Sequence, residues 1–325
     1  MKVFRKSISE LGEAEKREID QFIDLNGGLV FHYTRLNEIV SDENNTELFY
    51  FMAYNDSTIL GICPVHRVRK GLLRINYSSN GNYEIPYGGW VFNKNLVNFG
   101  RLWKSLPIAP LDSLTYWTSF VYDIPDRLKT ASSKFETGLI DLSLTVEELW
   151  QNCVHSKRRN MVRKAEKSGI LVKNFGKEGF QFYQSLMDQM KAKSGLKEKP
   201  FDYYYKILNE FIKEKALISI AYLNEKPVSG TILLGNKNVM HYWQGASDGE
   251  APNLGQGELL QWEAIKWAKN SGAKFYDLCV IEPERLSHIA LFKMGFVKDL
   301  VPFYCIGKKS FIFRLINKVQ NVLSS

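Results

Sequence analysis

Apolar residues recur along the first half of the chain with two periods, one typical of helices and one typical of strands. Residues 9–25 have helical spacing that ends at Gly27 and Gly28, and residues 96–106 have the same spacing. Runs rich in β-branched and aromatic residues predict strands at 48–54, 58–67, 72–77 and 114–122, with a hairpin at Asn55-Asp56. The first half is therefore predicted to mix helices with a sheet.

The second half begins with a clearly marked helix start. Thr145 and Glu148 have the spacing of a capping box, in which a hydroxyl and a carboxylate satisfy reciprocal backbone N–H groups. The apolar stripe that follows predicts one helix as far as Gly169, a residue suited to a helix end. Further helices are predicted at 179–194, 201–215, 257–271 and 287–294. Strands are predicted at 217–223, 227–235, 238–246, 274–281 and 298–306.

Length and composition place this pattern in a soluble, globular chain. The 325 residues are 45% hydrophobic and 24% charged, which excludes disordered, collagen-like and coiled-coil chains and allows two domains. We expect one domain at 1–143 and a second at 144–306, with a C-terminal helix at 307–325 that packs back on the first. No apolar run approaches the ~20 residues of a membrane span, and acidic residues follow the N-terminus where a signal peptide needs apolar ones. A cytoplasmic protein is expected.

The cysteines and histidines follow no metal-binding pattern. Four cysteines lie far apart without a C-x-x-C pair, and the five histidines lack the spacing of metal ligands. We therefore expect reduced thiols, no metal and no permanently bound cofactor.

Positive charge is concentrated in two segments. Residues 157–167 hold six cations and one acid, residues 300–325 hold four cations and no acid, and the whole chain has a net charge of +8. Solvated helix faces are one interpretation of such runs, and an anionic partner is the other. Helical spacing places Arg158 on the apolar stripe. There it either extends past the edge of the core or binds an anion in a cleft between the two halves.

A glycine pair follows the strand at 238–246 and opens the next helix. Gly255 and Gly257, separated by Gln256, permit backbone N–H groups at a helix start to approach a phosphate. A plain loop fits the same residues equally well. After the helix that this glycine pair opens, the predicted order continues with a strand, a further helix and the run from Phe292 to Phe296 (FKMGF).

This order resembles the acyl-transferring half of the GNAT N-acyltransferases, in which the glycine loop holds the pyrophosphate of coenzyme A. Two residues depart from that family's pattern. Pro252 stands where a Gln or Arg usually begins the loop, and Phe292 replaces the Tyr that protonates the leaving thiolate. Both departures weaken the expectation of an ordinary acetyl-CoA enzyme.

Three segments resemble more closely the FemAB-like branch of the GNAT superfamily. They are residues 158–169 (RRNMVRKAEKSG), Tyr276-Asp277-Leu278 and Phe292-Lys293. Phe31-His32 and Tyr87-Gly88-Gly89 are similar to N-terminal motifs of the related group called BioF2-like or CelD-like acetyltransferases. The resemblance extends from about residue 31 to residue 296, without the long helical arm that some members insert in the second domain.

The resemblance implies a fold and a reaction. The fold is of mixed α/β class, with two tandem GNAT-like domains, each a mixed, mostly antiparallel sheet flanked by helices, and an acceptor bound between them. The reaction moves an activated acyl or aminoacyl group to an amine of a phosphate-bearing cell-envelope precursor, such as one of peptidoglycan or a polysaccharide. The donor is acyl-CoA or aminoacyl-tRNA, used as a co-substrate.

Particular residues receive roles from these motifs. Lys293, in the Phe-Lys pair with Phe292, stabilises developing negative charge, and Asp277 either orients it or makes a structural hydrogen bond. The donor is expected to contact Gly255, Gln256, Gly257, Tyr242 and Gln244, with core packing as the alternative for Tyr242. Phosphates of the acceptor or of tRNA are expected to contact Arg158, Arg159, Asn160 and Arg163. The acceptor cleft is expected to include His32, Tyr33, Tyr87 and Gly88. No residue matches the family's catalytic acid or base.

A second class of function fits the same charge pattern. A duplicated GNAT scaffold without catalysis would bind nucleic acid or an anionic membrane through its basic segments. The basic and amphipathic residues 308–322 also offer an enzyme peripheral contact with the inner face of the membrane. Packing of that segment on the body is the favoured alternative.

Overall fold

The chain folds into two compact units, as seen in a computed structural model that describes residues 1–79, 84–194, 199–212, 215–284 and 287–316. Unit 1 comprises Met1–Phe135 together with the chain from Pro302 onward, and unit 2 comprises Glu136–Val301. Each unit combines a sheet with helices, so the predicted mixed α/β class is confirmed. Within the described residues, no helix is both long enough and apolar enough to cross a bilayer.

Unit 1 is built on a mixed sheet with the strand order β1-β2-β3-β4-β6-β13, and β5 pairs with β3. Its strands are β1 (Lys2–Ser7), β2 (Glu47–Asn55), β3 (Thr58–Lys70), β4 (Leu73–Ser78), β5 (Val91–Phe92), β6 (Asp112–Trp117) and most of β13 (Leu300–Lys309). Its helices are α1 (Glu13–Leu25), α2 (Thr34–Asn44), α3 (Phe99–Ser105) and α4 (Asp126–Lys129). The neighbouring strands are antiparallel except for the parallel pair β4 and β6.

The hairpin predicted at Asn55-Asp56 is confirmed. Strands β2 and β3 pair in antiparallel register from Glu47 with Arg67 to Asn55 with Thr58. Asp56 takes the left-handed conformation, with φ of 51°, which a short polar side chain tolerates better than most.

Unit 2 is built on a sheet with the strand order β7-β12-β11-β10-β9-β8. Its strands are β7 (Ser133–Asp141), β8 (Leu171–Phe175), β9 (Ala216–Leu223), β10 (Lys226–Gly235), β11 (Val239–Ser247) and β12 (Phe275–Ile281). Its helices are α5 (Val146–Glu148), α6 (Ser156–Lys167), α7 (Phe180–Ser194), α8 (Phe201–Phe211), α9 (Gln256–Asn270) and α10 (Ser287–Met294). Only β11 and β12 run parallel among these described pairs.

The single helix predicted from Thr145 to Gly169 is wrong in its middle. The capping box at Thr145 forms as predicted and Gly169 ends the segment with φ of 75°. A wide π-type turn at Leu149–Cys153 follows α5, and Val154 is extended before α6 begins. The break is stabilised from outside the local sequence, because His155 N–H donates to the carbonyl oxygen of Gly295 at 2.9 Å.

The predicted C-terminal helix is described only in part. Residues 311–316 are helical, and residues 317–325 of the prediction lie outside the described residues. Within the described part, Phe313 is buried.

Candidate functional site

The two parallel strands of unit 2 separate partway along their length. Their described pairs are Val239 with Phe275, Met240 with Tyr276 and His241 with Asp277. Strand β12 pairs with β7 from Phe275 to Ile281, with a register shift between Asp277 and Val280, where Cys279 has φ of 57°. The described pairing of β11 with β12 therefore ends at His241.

A cavity of about 470 Å³ is lined in part by the residues of β11 that follow His241. Its walls come from β10, β11, the first turns of α9, helix α10 and one residue of α7. The lining residues are Met190, Ser229, Gly230, Thr231, Tyr242, Gly245, Ala246, Ser247, Asn253, Gln256, Gly257, Glu258, Leu260, Gln261, His288, Ile289 and Phe292. Of the predicted donor-binding residues, Tyr242, Gln256 and Gly257 line the cavity. Gln244 and Gly255 are absent from this described lining.

The two glycines at the start of α9 have different structural roles. Gly255 has φ of 90°, and a Cβ there would lie 2.2 Å from the carbonyl oxygen of Met161 in α6. Gly255 therefore permits α6 and α9 to pack closely. A Cβ on Gly257 would meet only the ring of Phe292, at 3.7 Å, and both residues line the cavity.

The start of α9 is suited to an anionic group. Its first helical hydrogen bond is from Leu259 N–H to the carbonyl oxygen of Gly255. The N–H groups of residues 256–258 therefore come before the first backbone hydrogen bond within the helix. The helix dipole also favours negative charge at this end. The Gln256 side chain fixes the preceding loop, since it accepts from Leu254 N–H at 3.0 Å and donates to the carbonyl oxygen of Pro252 at 3.2 Å.

Arg158 binds a carboxylate of the protein itself. Its Nη1 lies 2.6 Å from Oε1 of Glu258, its Nη2 donates to the carbonyl oxygen of Leu291 at 2.9 Å, and its guanidinium lies 5.3 Å from the ring centroid of Phe292. Arg158 therefore links α6, α9 and α10 around the cavity. The guanidinium of Arg158 is thus paired within unit 2, and its predicted phosphate contact stays a prediction.

Replacing Arg158 with Met is expected to destabilise the protein by about 2 kcal/mol, because the largely buried Glu258 carboxylate loses its partner. Lys157→Met, an exposed change one residue earlier, is expected to stay within about 0.5 kcal/mol of wild type. Denaturant unfolding of both variants checks this. Equal stability of the two would show that the ion pair adds nothing, and the double variant Arg158→Met/Glu258→Gln should recover part of the loss.

Arg159 contacts backbone carbonyl groups of the protein itself, and its predicted phosphate contact stays a prediction. Its Nη1 donates to the carbonyl oxygen of Val154 at 2.6 Å and to those of Trp150 and Gln151 at 3.2 Å. These carbonyls belong to the wide turn before α6, so the guanidinium caps that turn.

The other two predicted phosphate contacts on α6 are exposed. Nη1 of Arg163 donates to Oδ1 of Asn160 at 3.3 Å, and its guanidinium lies 5.6 Å from the Trp150 ring centroid. Both side chains remain open to solvent.

A fully buried polar cluster lies where β11 and β12 separate. Oδ2 of Asp277 is 2.7 Å from Nδ1 of His241, and Oδ1 accepts from the Thr137 hydroxyl and, at 3.1 Å, from Cys279 N–H. Asp277 and His241 are both 0% exposed. These hydrogen bonds fit the structural alternative predicted for Asp277, and its predicted role in orienting Lys293 stays a prediction.

The same cluster has the composition of a metal site. Donor atoms of His241, Asp277 and Cys279 lie within 4.8 Å of one another. The His241 and Asp277 atoms that face each other already form a hydrogen bond. We therefore interpret the cluster as hydrogen-bonded and assign it no metal.

Lys293 lies behind the cavity wall. Its Nζ donates to the carbonyl oxygen of Val280 at 2.9 Å and lies 5.8 Å from the ring centroid of Tyr242. Burial lowers the pKa of Lys293, and the neighbouring Cys279 and Asp277 partly oppose that shift. Burial also raises the pKa of Tyr242 to about 12. The Phe-Lys pair thus places a ring in the cavity wall and a buried amine behind it.

The two N-terminal motifs meet in unit 1, but as core residues. Leu29 N–H donates to Nδ1 of His32 at 3.1 Å, so Nε2 carries the proton that is donated to the carbonyl oxygen of Gly88 at 3.0 Å. The Tyr87 ring packs edge-on against Phe303 at 5.0 Å, and the Tyr33 hydroxyl donates to Asp24.

The four residues predicted for the acceptor cleft are tightly packed. His32, Tyr33 and Tyr87 are at most 3% exposed. A Cβ on Gly88 would lie 2.5 Å from the carbonyl oxygen of Ser78. These four residues organise the core of unit 1, and their contact with the acceptor stays a prediction.

Sequence reasoning missed three residues of unit 2: Glu258, His241 and Thr137. A signal existed for His241, because it interrupts an apolar strand as Asp277 does, and the two strands were expected in one GNAT-like sheet. Glu258 follows the glycine pair directly and required a partner for its charge. Thr137 had no such signal, since its contact with Asp277 spans 140 residues of sequence.

Comparison with known proteins supports this arrangement. Residues 155–284, all within unit 2, match the sequence profile of the GNAT acetyltransferase domain. No curated protein matches the chain in sequence.

Solved structures match along nearly the whole chain. FemX has a TM-score of 0.71 at 14% identity, with 98% of this chain and 99% of FemX covered. The C-terminal domain of a putative lysylphosphatidylglycerol synthetase from Agrobacterium fabrum has a TM-score of 0.57 at 12% identity, covering 96% and 98%. A tandem GNAT protein from the clavulanic acid biosynthesis pathway has a TM-score of 0.52 at 11% identity, covering 95% and 99%. At these identities the similarity shows the fold, which confirms the predicted tandem GNAT-like class.

Proposed function

We propose that this chain, which carries a GNAT acetyltransferase domain on the fold of FemX, is an N-acyltransferase or an aminoacyltransferase. Its acceptor is an amine of a phosphate-bearing cell-envelope precursor, of the kind used for peptidoglycan or polysaccharide. Its donor is an acyl-CoA or an aminoacyl-tRNA, bound as a co-substrate. The likeness in fold to a putative lysylphosphatidylglycerol synthetase supports a phosphate-bearing envelope acceptor and an aminoacyl donor, and the GNAT domain supports acyl-CoA.

The observation that carries the proposal is the cavity at the separation of β11 and β12. Most of its lining residues lie within residues 155–284, which match the GNAT domain, and helix α10 supplies the rest. The lining includes the start of α9, where N–H groups and the helix dipole favour a phosphate. It also includes Tyr242 and Phe292, whose rings suit the uncharged part of a donor.

The reaction joins an amine to the carbonyl carbon of the donor. A C–N bond forms, the C–O bond of an ester or the C–S bond of a thioester breaks, and the amine loses a proton. Negative charge develops on the carbonyl oxygen, and a preorganised positive group lowers the barrier by stabilising it. We assign that role to Lys293, whose protonated amine lies behind Tyr242.

Exposed cations of α6 suit the phosphate-bearing partner. Lys157, Arg163 and Lys167 are exposed, unlike the paired Arg158. We propose that these three contact phosphates of the acceptor or of tRNA through charge-assisted hydrogen bonds.

Two binding measurements on the full chain separate the donors. Coenzyme A is titrated by calorimetry, and aminoacyl-tRNA is tested by filter binding at several salt concentrations. Bound tRNA should lose affinity steeply as salt rises, through counterion release, and charge reversal at Arg163 and Lys167 should flatten that slope. Coenzyme A binding should instead weaken in Gly257→Ala, which adds a methyl group to the cavity wall. Binding of neither donor by folded protein would overturn the proposal.

A further inference from the structure

The described C-terminal helix exposes an unusual group of apolar side chains. Phe311 is 79% exposed, Leu315 57% and Ile312 43%, whereas Phe313 between them is only 4% exposed. Residues 311 and 315 are one helical turn apart, so they lie on the same face. Of these four apolar residues, Phe313 is therefore directed into unit 1 and the other three are directed to solvent.

The outward direction is fixed by contacts at the start of the helix. Ser310 N–H donates to the carbonyl oxygen of Asp112 at 3.2 Å, and the Ser310 hydroxyl oxygen accepts from Phe313 N–H at 3.0 Å. Lys308 Nζ donates to the carbonyl oxygens of Trp103 and Leu106 at 3.1 and 3.2 Å. Because the start is anchored on unit 1, the exposed face does not turn inward.

The charged residues of this helix and of strand β13 before it are all cations. Lys309 and Arg314 are exposed beside the three apolar residues, and residues 300–325 contain four cations and no acid. Apolar side chains next to cations match the boundary between phosphate headgroups and acyl chains in an anionic bilayer. Of the three exposed apolar side chains only Phe311 offers a stacking surface for a nucleic-acid base, so nucleic acid fits the same face less well.

We propose that the docking face formed by Lys309, Phe311, Ile312, Arg314 and Leu315 binds the surface of an anionic lipid bilayer. The apolar side chains enter the headgroup region, and the two cations bind lipid phosphates. Binding by one short helix is reversible. The inference is independent of the proposed transfer reaction, which stands or falls on the donor measurements.

Sedimentation of the full chain with lipid vesicles tests the proposal. Vesicles of phosphatidylcholine mixed with phosphatidylglycerol are expected to bind the protein, and vesicles of phosphatidylcholine alone to bind it much less. Added salt should weaken the binding. The variant Phe311→Ser/Leu315→Ser should bind the mixed vesicles at least about tenfold more weakly, because it loses most of the inserted apolar area.

The chain offers a matched control in Leu25→Ser/Leu72→Ser. Leu25 and Leu72 are 85% and 74% exposed but lie outside the docking face, so this variant should bind vesicles like wild type. All substituted residues are exposed, and thermal unfolding verifies that each variant folds. Equal vesicle binding by both double variants, or no binding by wild type at low salt, overturns the proposal. Loss of tRNA binding or of a dimer in Phe311→Ser/Leu315→Ser, with vesicle binding unchanged, assigns the face to that partner instead.

Discussion

Replacing Lys293 with Met is expected to lower the transfer rate by about 10²–10³-fold, because one preorganised charge-stabilising group is lost. Methionine keeps most of the side-chain volume, and removal of a buried amine leaves no charge unpaired. The fold should therefore survive. Lys298→Met, which changes an exposed lysine nearby, is the matched control and should keep full activity.

The pH profile gives a second readout for Lys293. Its pKa is lowered from the ordinary 10.5 by burial, so the protonated amine is lost at a lower pH than usual. The wild-type rate should fall as pH rises through that lowered pKa, and Lys293→Met should lack this step. Between the lowered pKa and 10.5 the unfolded chain binds more protons at this group. Stability therefore rises with pH across that window.

The same variant separates an enzyme from a binding scaffold. Wild-type donor binding together with lost turnover in Lys293→Met identifies an enzyme. If wild-type protein binds its partners but transfers nothing to any amine, the non-catalytic alternative is favoured. A Lys293→Met variant with the wild-type rate and pH profile would remove this residue from the mechanism.

Replacing Gly255 with Ala is expected to destabilise the protein by about 3 kcal/mol. A side chain in the left-handed conformation costs ~1 kcal/mol or more, and the new methyl group would lie 2.2 Å from the Met161 carbonyl oxygen. That oxygen is backbone, so α6 has to move away from α9. Urea unfolding measures the loss.

Gly257→Ala is the matched control for that change. Its methyl group meets the Phe292 ring at an ordinary contact distance of 3.7 Å, and alanine has the higher helix propensity. We expect stability within about 1 kcal/mol of wild type, with any change in the stabilising direction. If the two variants are equally stable, the close packing of α6 on α9 does not depend on Gly255.

Local patterns predicted many elements of the fold but missed α2, α4 and the strands β1, β5, β7 and β8. The Asn55-Asp56 hairpin, the Thr145 capping box and the end at Gly169 each depend on residues within a few positions of one another, where backbone preferences decide the structure. The break between α5 and α6 depends on a carbonyl of Gly295 and on the Arg159 guanidinium. Periodicity within the segment contains neither contact, so it predicted a continuous helix.

The candidate site was predicted less completely. The motifs located the strands, the glycine pair and the Phe-Lys pair, because these follow one another in a recognisable order. The partners of buried charges depend on strand register and on helices far apart in sequence, as Glu258 with Arg158 and His241 with Asp277 illustrate. A motif also does not show whether its residues face a ligand or the core, so the burial of His32 and Tyr87 could not be predicted from theirs.

The link that Arg158 makes among three helices gives the cavity one rigid wall and one adaptable wall. The contacts of Arg158 in the helical wall stabilise unit 2, so substitutions there lower stability before they alter selectivity. The strand wall consists of small side chains such as Ser229, Thr231 and Ala246, whose size can change at little cost to that link. Evolution toward a different acyl group, or engineering for one, therefore has its easiest route through the strands.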